Sequence, residues 1–177
     1  YVPYVEPDTG KRVAIVGGGP GGLTAAYFLR RLGHSVSVFD MMPKMGGMLR
    51  YGIPEYRLPK KLLDREITQI EALGVNLKNN VKLGRDIQLE ELRHDFDAVV
   101  VAAGAWKSSS MRIPGEELNG VFGGIDFLRE VSLGNAPVIG KTVAVIGGGN
   151  TAMDACRTAV RLGAEKVYVI YRRTRNE

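Results

Sequence analysis

The chain is poor in the residues that form disulfides, metal clusters and membrane spans. It has one cysteine, Cys156, among 177 residues, which excludes an internal disulfide and is typical of a reducing compartment such as the cytoplasm. One cysteine also excludes an iron–sulfur cluster held by four thiolates of this chain alone. No run of about 18 consecutive apolar residues occurs, so the sequence predicts no transmembrane helix.

Histidine and clustered positive charge are scarce as well. The two histidines, His34 and His94, stand too far apart in the sequence to indicate a metal site. The net charge is +5, but the basic residues are scattered and do not form the basic, aromatic-interleaved face that nucleic-acid binding requires. With 45% hydrophobic and 24% charged residues, the composition is that of an ordinary globular domain.

What the chain does contain is one pattern, present twice. The two copies are KRVAIVGGGPGGLTAAYFLRRLGHSVSVFD at 11–40 and KTVAVIGGGNTAMDACRTAVRLGAEKVYVIYR at 141–172. Each runs from an apolar strand through a glycine turn into a helix, and then into a second apolar strand. This order predicts an α/β fold with parallel strands. Two such units suggest two nucleotides side by side, the arrangement that electron transfer between them needs.

The first glycine turn has the G-x-G-x-x-G spacing of a dinucleotide site. The first glycine makes the tight turn, the second lets the main chain approach a pyrophosphate, and the third lets the helix pack against the strand. The phosphates are then expected at the helix N-terminus. Asp40, at the end of the second strand, is placed to accept hydrogen bonds from ribose hydroxyls. The predicted cofactor-binding residues here are Gly17, Gly19, Pro20, Gly21, Gly22 and Asp40.

The second glycine turn has the G-x-G-x-x-A form and differs at the end of its following strand. Arginines stand there instead of an acid, and they would offer bidentate donors to a 2′-phosphate. This favours NADP(H) over NAD(H), although a basic run at a strand end can also be a solvated loop. The predicted binding residues are Gly147, Gly149, Asn150, Thr151, Ala152, Arg172, Arg173 and Arg175.

Between the two copies, hydrophobic periodicity predicts further elements. We expect a helix over 60–73, a strand over 75–77, an extended edge over 81–83, a buried strand over 97–102 and a helix around 125–131. The Gly-, Pro- and Met-rich stretch 41–60 is expected to be irregular. Turn residues near 135–140 indicate a domain boundary.

Several further motifs follow one another in the order of a known family. They are MGGMLRYGIPEYRLPK at 45–60, GRDI at 84–87, AAGAW at 102–106, IPGEEL at 113–118 and VIYRRTR at 169–175. With the two glycine turns, the chain resembles the small (beta) subunit of NADPH-dependent glutamate synthase and the flavin arm of dihydropyrimidine dehydrogenase. The resemblance implies a Rossmann-like flavoprotein fold that binds two dinucleotides, with FAD in the first site and NADP(H) in the second.

The resemblance also implies roles for individual residues. Gly46, Gly47 and Met48 would bring main chain close to the flavin, and Gly104 would lie in a turn where the chain leaves the FAD-domain core. Arg57 would reach the flavin or its phosphates, unless it forms a surface salt bridge. Main-chain contact to the adenine would come from Leu83 or Val81.

The resemblance finally implies a division of the chain and a reaction. Residues 1–137 would be the N-terminal portion of an FAD-binding domain, and 138–177 the first βαβ unit of an NAD(P)-binding domain. The chain lacks a starting Met and the family's cysteine-rich segment, so we expect a fragment, with iron–sulfur clusters only in a segment absent from it.

The implied reaction is hydride transfer from NADPH to FAD. Electrons would then pass to iron–sulfur centres, a large catalytic subunit or a ferredoxin-like partner. The cofactors do the chemistry, so no residue of this chain is predicted to be catalytic or to bind metal. Two alternatives stay open: a flavin-dependent oxidase or disulfide reductase, and a non-catalytic assembly or regulatory module.

Overall fold

The computed structural model describes residues 3–174, and these form two compact units. The first unit comprises the chain up to Arg50 together with Leu58–Ala105. The second comprises Tyr51–Arg57 and the chain from Trp106 onwards. The predicted cofactor domains, 1–137 and 138–177, are defined by ligand and not by packing, and they stay a prediction.

The first unit is built on a four-stranded parallel sheet. In chain order its elements are β1 (Arg12–Val16), α1 (Pro20–Arg31), β2 (Ser35–Phe39), α3 (Lys60–Ala72), β3 (Asn76–Lys78), α4 (Leu89–Asp95) and β4 (Ala98–Val101). A single-turn helix, α2 (Met48–Tyr51), lies between β2 and α3 in the chain, and all of its residues except Tyr51 belong to this unit. The strand order is β3-β2-β1-β4, and every pairing is parallel. The predicted parallel α/β unit is therefore confirmed.

The central strand β1 supplies the core of both sheet faces. Its successive side chains point to opposite faces, so Val13 and Ile15 pack in one cluster and Ala14 and Val16 in another. The first cluster also holds Leu23 of α1 and two apolar residues of α3, whereas the second holds Leu92 of α4. Strand β1 is covered on both faces, and its carboxyl end is fixed where the glycine turn begins.

Three elements differ from the sequence-based expectation. Helix α4 was not predicted, although the side chain of Glu91 accepts a hydrogen bond from the Gln88 amide at 2.7 Å, which is a capping box. Helix α2 lies in the stretch expected to be irregular. Strand β4 was expected to be buried, but it pairs only with β1 at the sheet edge, and Val101 is 64% exposed. A short apolar run does not distinguish an edge strand from a central one.

The second unit repeats the strand–helix–strand pattern. It contains α5 (Gly124–Ser132), β5 (Thr142–Ile146), α6 (Asn150–Arg161) and β6 (Lys166–Ile170), with β5 and β6 paired in parallel. Phe127 and Leu128 of α5 pack with Ala155 of α6, which confirms the predicted helix around 125–131. Across residues 3–174, no helix combines the length and the apolar character that a membrane crossing requires.

Candidate dinucleotide-binding sites

The first glycine turn joins β1 to α1, and two of its glycines are required by packing. Gly17 has φ +109, and a Cβ placed on it would lie 2.2 Å from the carbonyl oxygen of Ala102. A Cβ on Gly22 would lie 1.9 Å from the carbonyl oxygen of Gly17. In contrast, no heavy atom lies within 4 Å of a Cβ built on Gly21. The turn is thus tight on its protein side and open at the start of the helix.

The start of α1 has the features of an anion site. Its N-cap is Gly19, which provides no side-chain cap, Pro20 occupies the first helical position, and the first turn has no acidic residue. The first N–H groups of a helix lack intrahelical acceptors and lie at the positive end of the helix dipole. This arrangement suits a pyrophosphate.

Asp40 lies directly after β2 and is 6% exposed. Its Oδ2 accepts a hydrogen bond from the Gly18 amide at 2.6 Å, and its Oδ1 accepts one from the Met42 amide at 2.8 Å. The carboxylate therefore fixes the glycine turn to the end of the second strand. Each carboxylate oxygen has a further lone-pair site, so the predicted ribose contact is compatible with these bonds and stays a prediction.

A second pair of glycines packs against the first turn. The Gly46 amide donates to the Gly18 carbonyl oxygen at 2.7 Å. A Cβ on Gly47 would lie 2.6 Å from the Gly19 Cα, whereas a Cβ on Gly19 would lie at an ordinary 3.7 Å from the Gly47 Cα, so this close approach excludes a side chain at Gly47. Met48 follows as the first residue of α2. The structure thus brings these three residues to the first glycine turn, while their contact with flavin stays a prediction.

The remaining predicted residues of the first site lie around the carboxyl edge of the sheet. Leu83 forms an isolated parallel bridge with Ile87, and the alternative residue, Val81, donates its amide to the Asp40 carbonyl oxygen at 2.9 Å. Gly104 lies shortly after β4. The amide of Ala102, two residues before Gly104, donates to the Val16 carbonyl oxygen at 2.8 Å. Their contacts with the cofactor stay a prediction.

The second glycine turn joins β5 to α6 and has the same construction. The Gly147 amide donates to the Ile170 carbonyl oxygen at 2.9 Å, as the Gly17 amide does to the Phe39 carbonyl oxygen at 2.8 Å. The N-cap of α6 is Gly149, again without a side-chain cap, and Asn150 and Thr151 open a first turn free of acidic residues. The Ala152 methyl lies 3.4 Å from a Cβ built on Gly147. This turn therefore accommodates alanine in place of the third glycine.

The end of β6 differs from the end of β2 as the sequence predicts. Tyr171 follows β6 where Asp40 follows β2, and its ring lies against the main chain of Gly148. Arg172 and Arg173 come next, and both are exposed. Arg175 lies outside the described residues. No carboxylate stands at this strand end within the described part of the chain, and two guanidinium groups are open to an anion.

Arg57 has a protein partner that the sequence did not reveal. Its Nη1 donates to Oδ2 of Asp154 at 2.7 Å, and the Asp154 side chain is only 4% exposed. Both residues belong to the second unit. The sequence did contain one signal, an acidic residue on the face of α6 that also carries the buried Ala155 and Thr158. The predicted flavin contact of Arg57 stays a prediction.

Cys156 does not have the setting of a reactive thiol. It is partly buried on α6, and burial raises the pKa of its thiol above the ordinary value. Catalytic cysteines have a lowered pKa, which supplies thiolate at neutral pH. Within residues 3–174, no three His, Cys, Asp or Glu side chains are grouped so that they could hold a metal ion.

Known proteins are similar to this chain over most of its length. The chain is 48% identical over 172 residues to the NADP(+)-dependent formate dehydrogenase subunit beta of Moorella thermoacetica, covering 96% of this chain and 24% of that protein. It is 43% identical over 173 residues to the glutamate synthase [NADPH] small chain of Mycobacterium tuberculosis, covering 90% of this chain and 36% of that protein. The expected resemblance to the glutamate synthase small subunit is therefore confirmed.

Solved structures support the fold. The structure of Mycobacterium tuberculosis FprA in complex with NADPH has a TM-score of 0.72 and 29% identity, over 86% of this chain and 36% of that one. The family model described as pyridine nucleotide-disulphide oxidoreductase matches residues 11–176. The predicted Rossmann-like fold is confirmed, and the chain spans about a third or less of these proteins. It belongs to the pyridine nucleotide-disulphide oxidoreductase family.

Proposed function

We propose that this chain is the dinucleotide-binding core of an oxidoreductase in which FAD binds the first glycine turn and NADP(H) the second. The observation that carries the proposal is the pair of glycine turns, Gly17–Gly22 and Gly147–Ala152. Each places an uncapped helix N-terminus after a parallel strand. The two turns share their construction and differ in the residues that follow the second strand.

In the first site, the main chain of the glycine turn and the start of α1 hold the pyrophosphate, since they offer N–H groups and space. We assign this role to Gly17, Gly19, Pro20, Gly21 and Gly22. Asp40 holds the ribose hydroxyls, while Gly46, Gly47, Met48, Leu83 and Gly104 line the cofactor with main chain. The fit rests on the open space at Gly21 and on the absence of an acid in the first turn of α1.

In the second site, Gly147, Gly149, Asn150, Thr151 and Ala152 hold the pyrophosphate in the same way. Arg172, Arg173 and Arg175 are assigned to the 2′-phosphate. A guanidinium is always charged and binds phosphate through two parallel hydrogen bonds, whereas a carboxylate at the same position would repel it. Exposure of Arg172 and Arg173 leaves their donors accessible to the ligand.

The bound cofactors supply the redox chemistry, in which a hydride passes from reduced nicotinamide to flavin. The residues of this chain bind and orient both nucleotides, and no acid, base or nucleophile is assigned to it. The raised pKa of Cys156 does not favour a thiol-dependent mechanism.

We further propose that the electrons leave to iron–sulfur centres or to a partner subunit. Supporting this, two similar proteins are named as a beta subunit and a small chain of larger enzymes. The physiological acceptor in this proposal is an electron-accepting protein or domain. The site of action is a reducing compartment, with the cytoplasm as the specific proposal.

The test is the visible absorption spectrum of the full-length parent protein, recorded without oxygen before and after addition of NADPH. We expect a flavin band that NADPH bleaches faster than NADH does. A protein without a flavin band after incubation with FAD would contradict the proposal and favour the assembly-module alternative. Equal bleaching by NADPH and NADH would contradict only the 2′-phosphate assignment.

A further inference from the structure

The segment Tyr51–Arg57 is fixed along one face of α6 by polar and aromatic contacts. The Tyr56 hydroxyl donates to the main-chain oxygen of Asp154 at 3.2 Å, and Arg57 Nη1 donates to Asp154 Oδ2 at 2.7 Å. The guanidinium carbon of Arg161 lies 4.3 Å from the centre of the Tyr56 ring. Asp154 and Arg161 lie about two turns apart on α6 and so on the same face. Segment and helix belong to the same compact unit.

Asp154 is a buried carboxylate with one cationic partner in the described part of the chain. The residue is 3% exposed. Its Oδ2 is paired with Arg57, but its Oδ1 is buried with no hydrogen-bond partner among the described residues, as is Oγ1 of the nearby Thr158. A buried charge is costly unless it is paired. Among the described residues, Arg57 is therefore the group that compensates the charge of this carboxylate.

The pair lies close to the start of the helix that follows the second glycine turn. Helix α6 begins at Asn150, and a rise of about 1.5 Å per residue puts the Asp154 Cα about 6 Å further along the axis. A buried negative charge at that distance, if unpaired, would repel a phosphate bound at the helix start, because the protein interior screens charges less than water does. Arg57 removes this repulsion.

We propose that Arg57 serves the second dinucleotide site, as a positioning residue that neutralises Asp154, and that it is not a ligand of the flavin. The inference rests on the proposed function for the assignment of NADP(H) to the second turn. Arg57 follows Gly46 and Gly47, which we assign to the first site, by about ten residues in the sequence. Its guanidinium nevertheless forms its ion pair with Asp154, a residue of the second unit.

The experiment compares Arg57→Met, Asp154→Asn and the double variant in the full-length parent protein. The dissociation constant of NADP+ is measured by titration at two salt concentrations, and the FAD content by absorbance. Arg57→Met should raise the dissociation constant for NADP+ about tenfold at low salt and leave the FAD content unchanged. Asp154→Asn alone, and the double variant, should bind NADP+ within about threefold of the wild type. Arg65→Met, an exposed arginine on α3, is the matched control.

Besides an unchanged NADP+ affinity in Arg57→Met, two results would overturn the inference. One is loss of FAD in both Arg57→Met and the double variant with NADP+ affinity intact, because a flavin ligand acts regardless of Asp154. The other is a loss of NADP+ affinity that Asp154→Asn does not restore. If Arg57→Met does not fold, the double variant decides, since it leaves no buried charge unpaired. A wild-type protein whose flavin is not reduced by NADPH would refute the proposed function itself. If the wild type is active and Arg57→Met binds NADP+ as tightly as the wild type does, only this inference is refuted.

Discussion

Asp40 and Tyr171 occupy the same place in the two strand–helix–strand units. Each follows the strand whose last carbonyl oxygen accepts the amide of the first glycine, Phe39 for Gly17 and Ile170 for Gly147. At the first turn the Asp40 carboxylate binds the Gly18 amide, and at the second the Tyr171 ring lies against Gly148. The two units therefore share the same backbone arrangement and differ in the side chain that packs against the glycine turn. It is a carboxylate in the first unit, and a neutral aromatic ring followed by two arginines in the second.

Replacing Asp40 by Ala should weaken FAD retention and leave NADP+ affinity largely unchanged. The substitution removes both the proposed ribose acceptor and the acceptor of two backbone amides, Gly18 and Met42. A buried amide left without an acceptor costs about 1–3 kcal/mol, so the thermal midpoint should fall as well. FAD content after gel filtration is the measurement. Asp40→Asn, which keeps one acceptor oxygen, should retain more flavin, and an alanine variant with full flavin content would contradict the assignment.

Replacing Arg172 and Arg173 by Gln should reduce the preference for NADPH over NADH. A hydrogen bond to a charged group contributes about 1.5–3 kcal/mol, so loss of one such contact changes the ratio of the two kcat/KM values by about tenfold or more. The change should come from weaker use of NADPH, with NADH little affected. Arg65→Gln serves as the remote control, and an unchanged ratio in the double variant would remove the 2′-phosphate assignment.

Replacing Gly22 by Ala should destabilise the protein, although alanine occupies the matching position in the second turn. The new Cβ would lie 1.9 Å from the Gly17 carbonyl oxygen, and relief of such a main-chain clash costs about 1–3 kcal/mol or more. The reverse change, Ala152→Gly, should cost only about 1 kcal/mol through lower helix propensity. Thermal unfolding of both variants checks this, and equal midpoints would show that the first turn has more room than the structure indicates.

Replacing Cys156 by Ser should leave NADPH-dependent flavin reduction intact. Because burial raises the pKa of the thiol, the group is protonated at neutral pH and its reactive thiolate forms only at alkaline pH. Alkylation by iodoacetamide should therefore be slow at pH 7 and should accelerate as the pH rises through the shifted pKa. Rapid alkylation at neutral pH, or loss of flavin reduction in the serine variant, would reopen a thiol-dependent mechanism.

The sequence predicts the parts of this molecule that local pattern determines. The structure has both glycine turns, with the helices that follow them and the strands on either side, at the positions that the sequence pattern predicts. These elements are predictable because glycine spacing, helical periodicity and short apolar runs are signals within a few residues of one another. The requirement for glycine at position 22 is also local, because a Cβ there would clash with the carbonyl oxygen of the nearby Gly17.

The contacts of the site that depend on distant residues were not predictable. Arg57 and Asp154 are far apart in sequence, and although an acid on the buried face of α6 indicates the need for a partner, it does not indicate which residue supplies it. The exposure of β4 was missed for a related reason, because burial of a strand depends on which strands pair with it. Helix α4 is different: its capping box, Gln88 to Glu91, is a local signal and was open to prediction.

The close approach of Gly19 and Gly47 has a consequence for how this protein can evolve. The constraint acts in one direction, since a Cβ on Gly47 would lie 2.6 Å from the Gly19 Cα, whereas a Cβ on Gly19 would lie at an ordinary 3.7 Å from the Gly47 Cα. A substitution at Gly47 is therefore not rescued by any residue at position 19, because no side chain is smaller than the hydrogen already present there. We expect related sequences with this loop geometry to keep Gly47 for packing, whereas packing against this loop does not by itself require glycine at position 19.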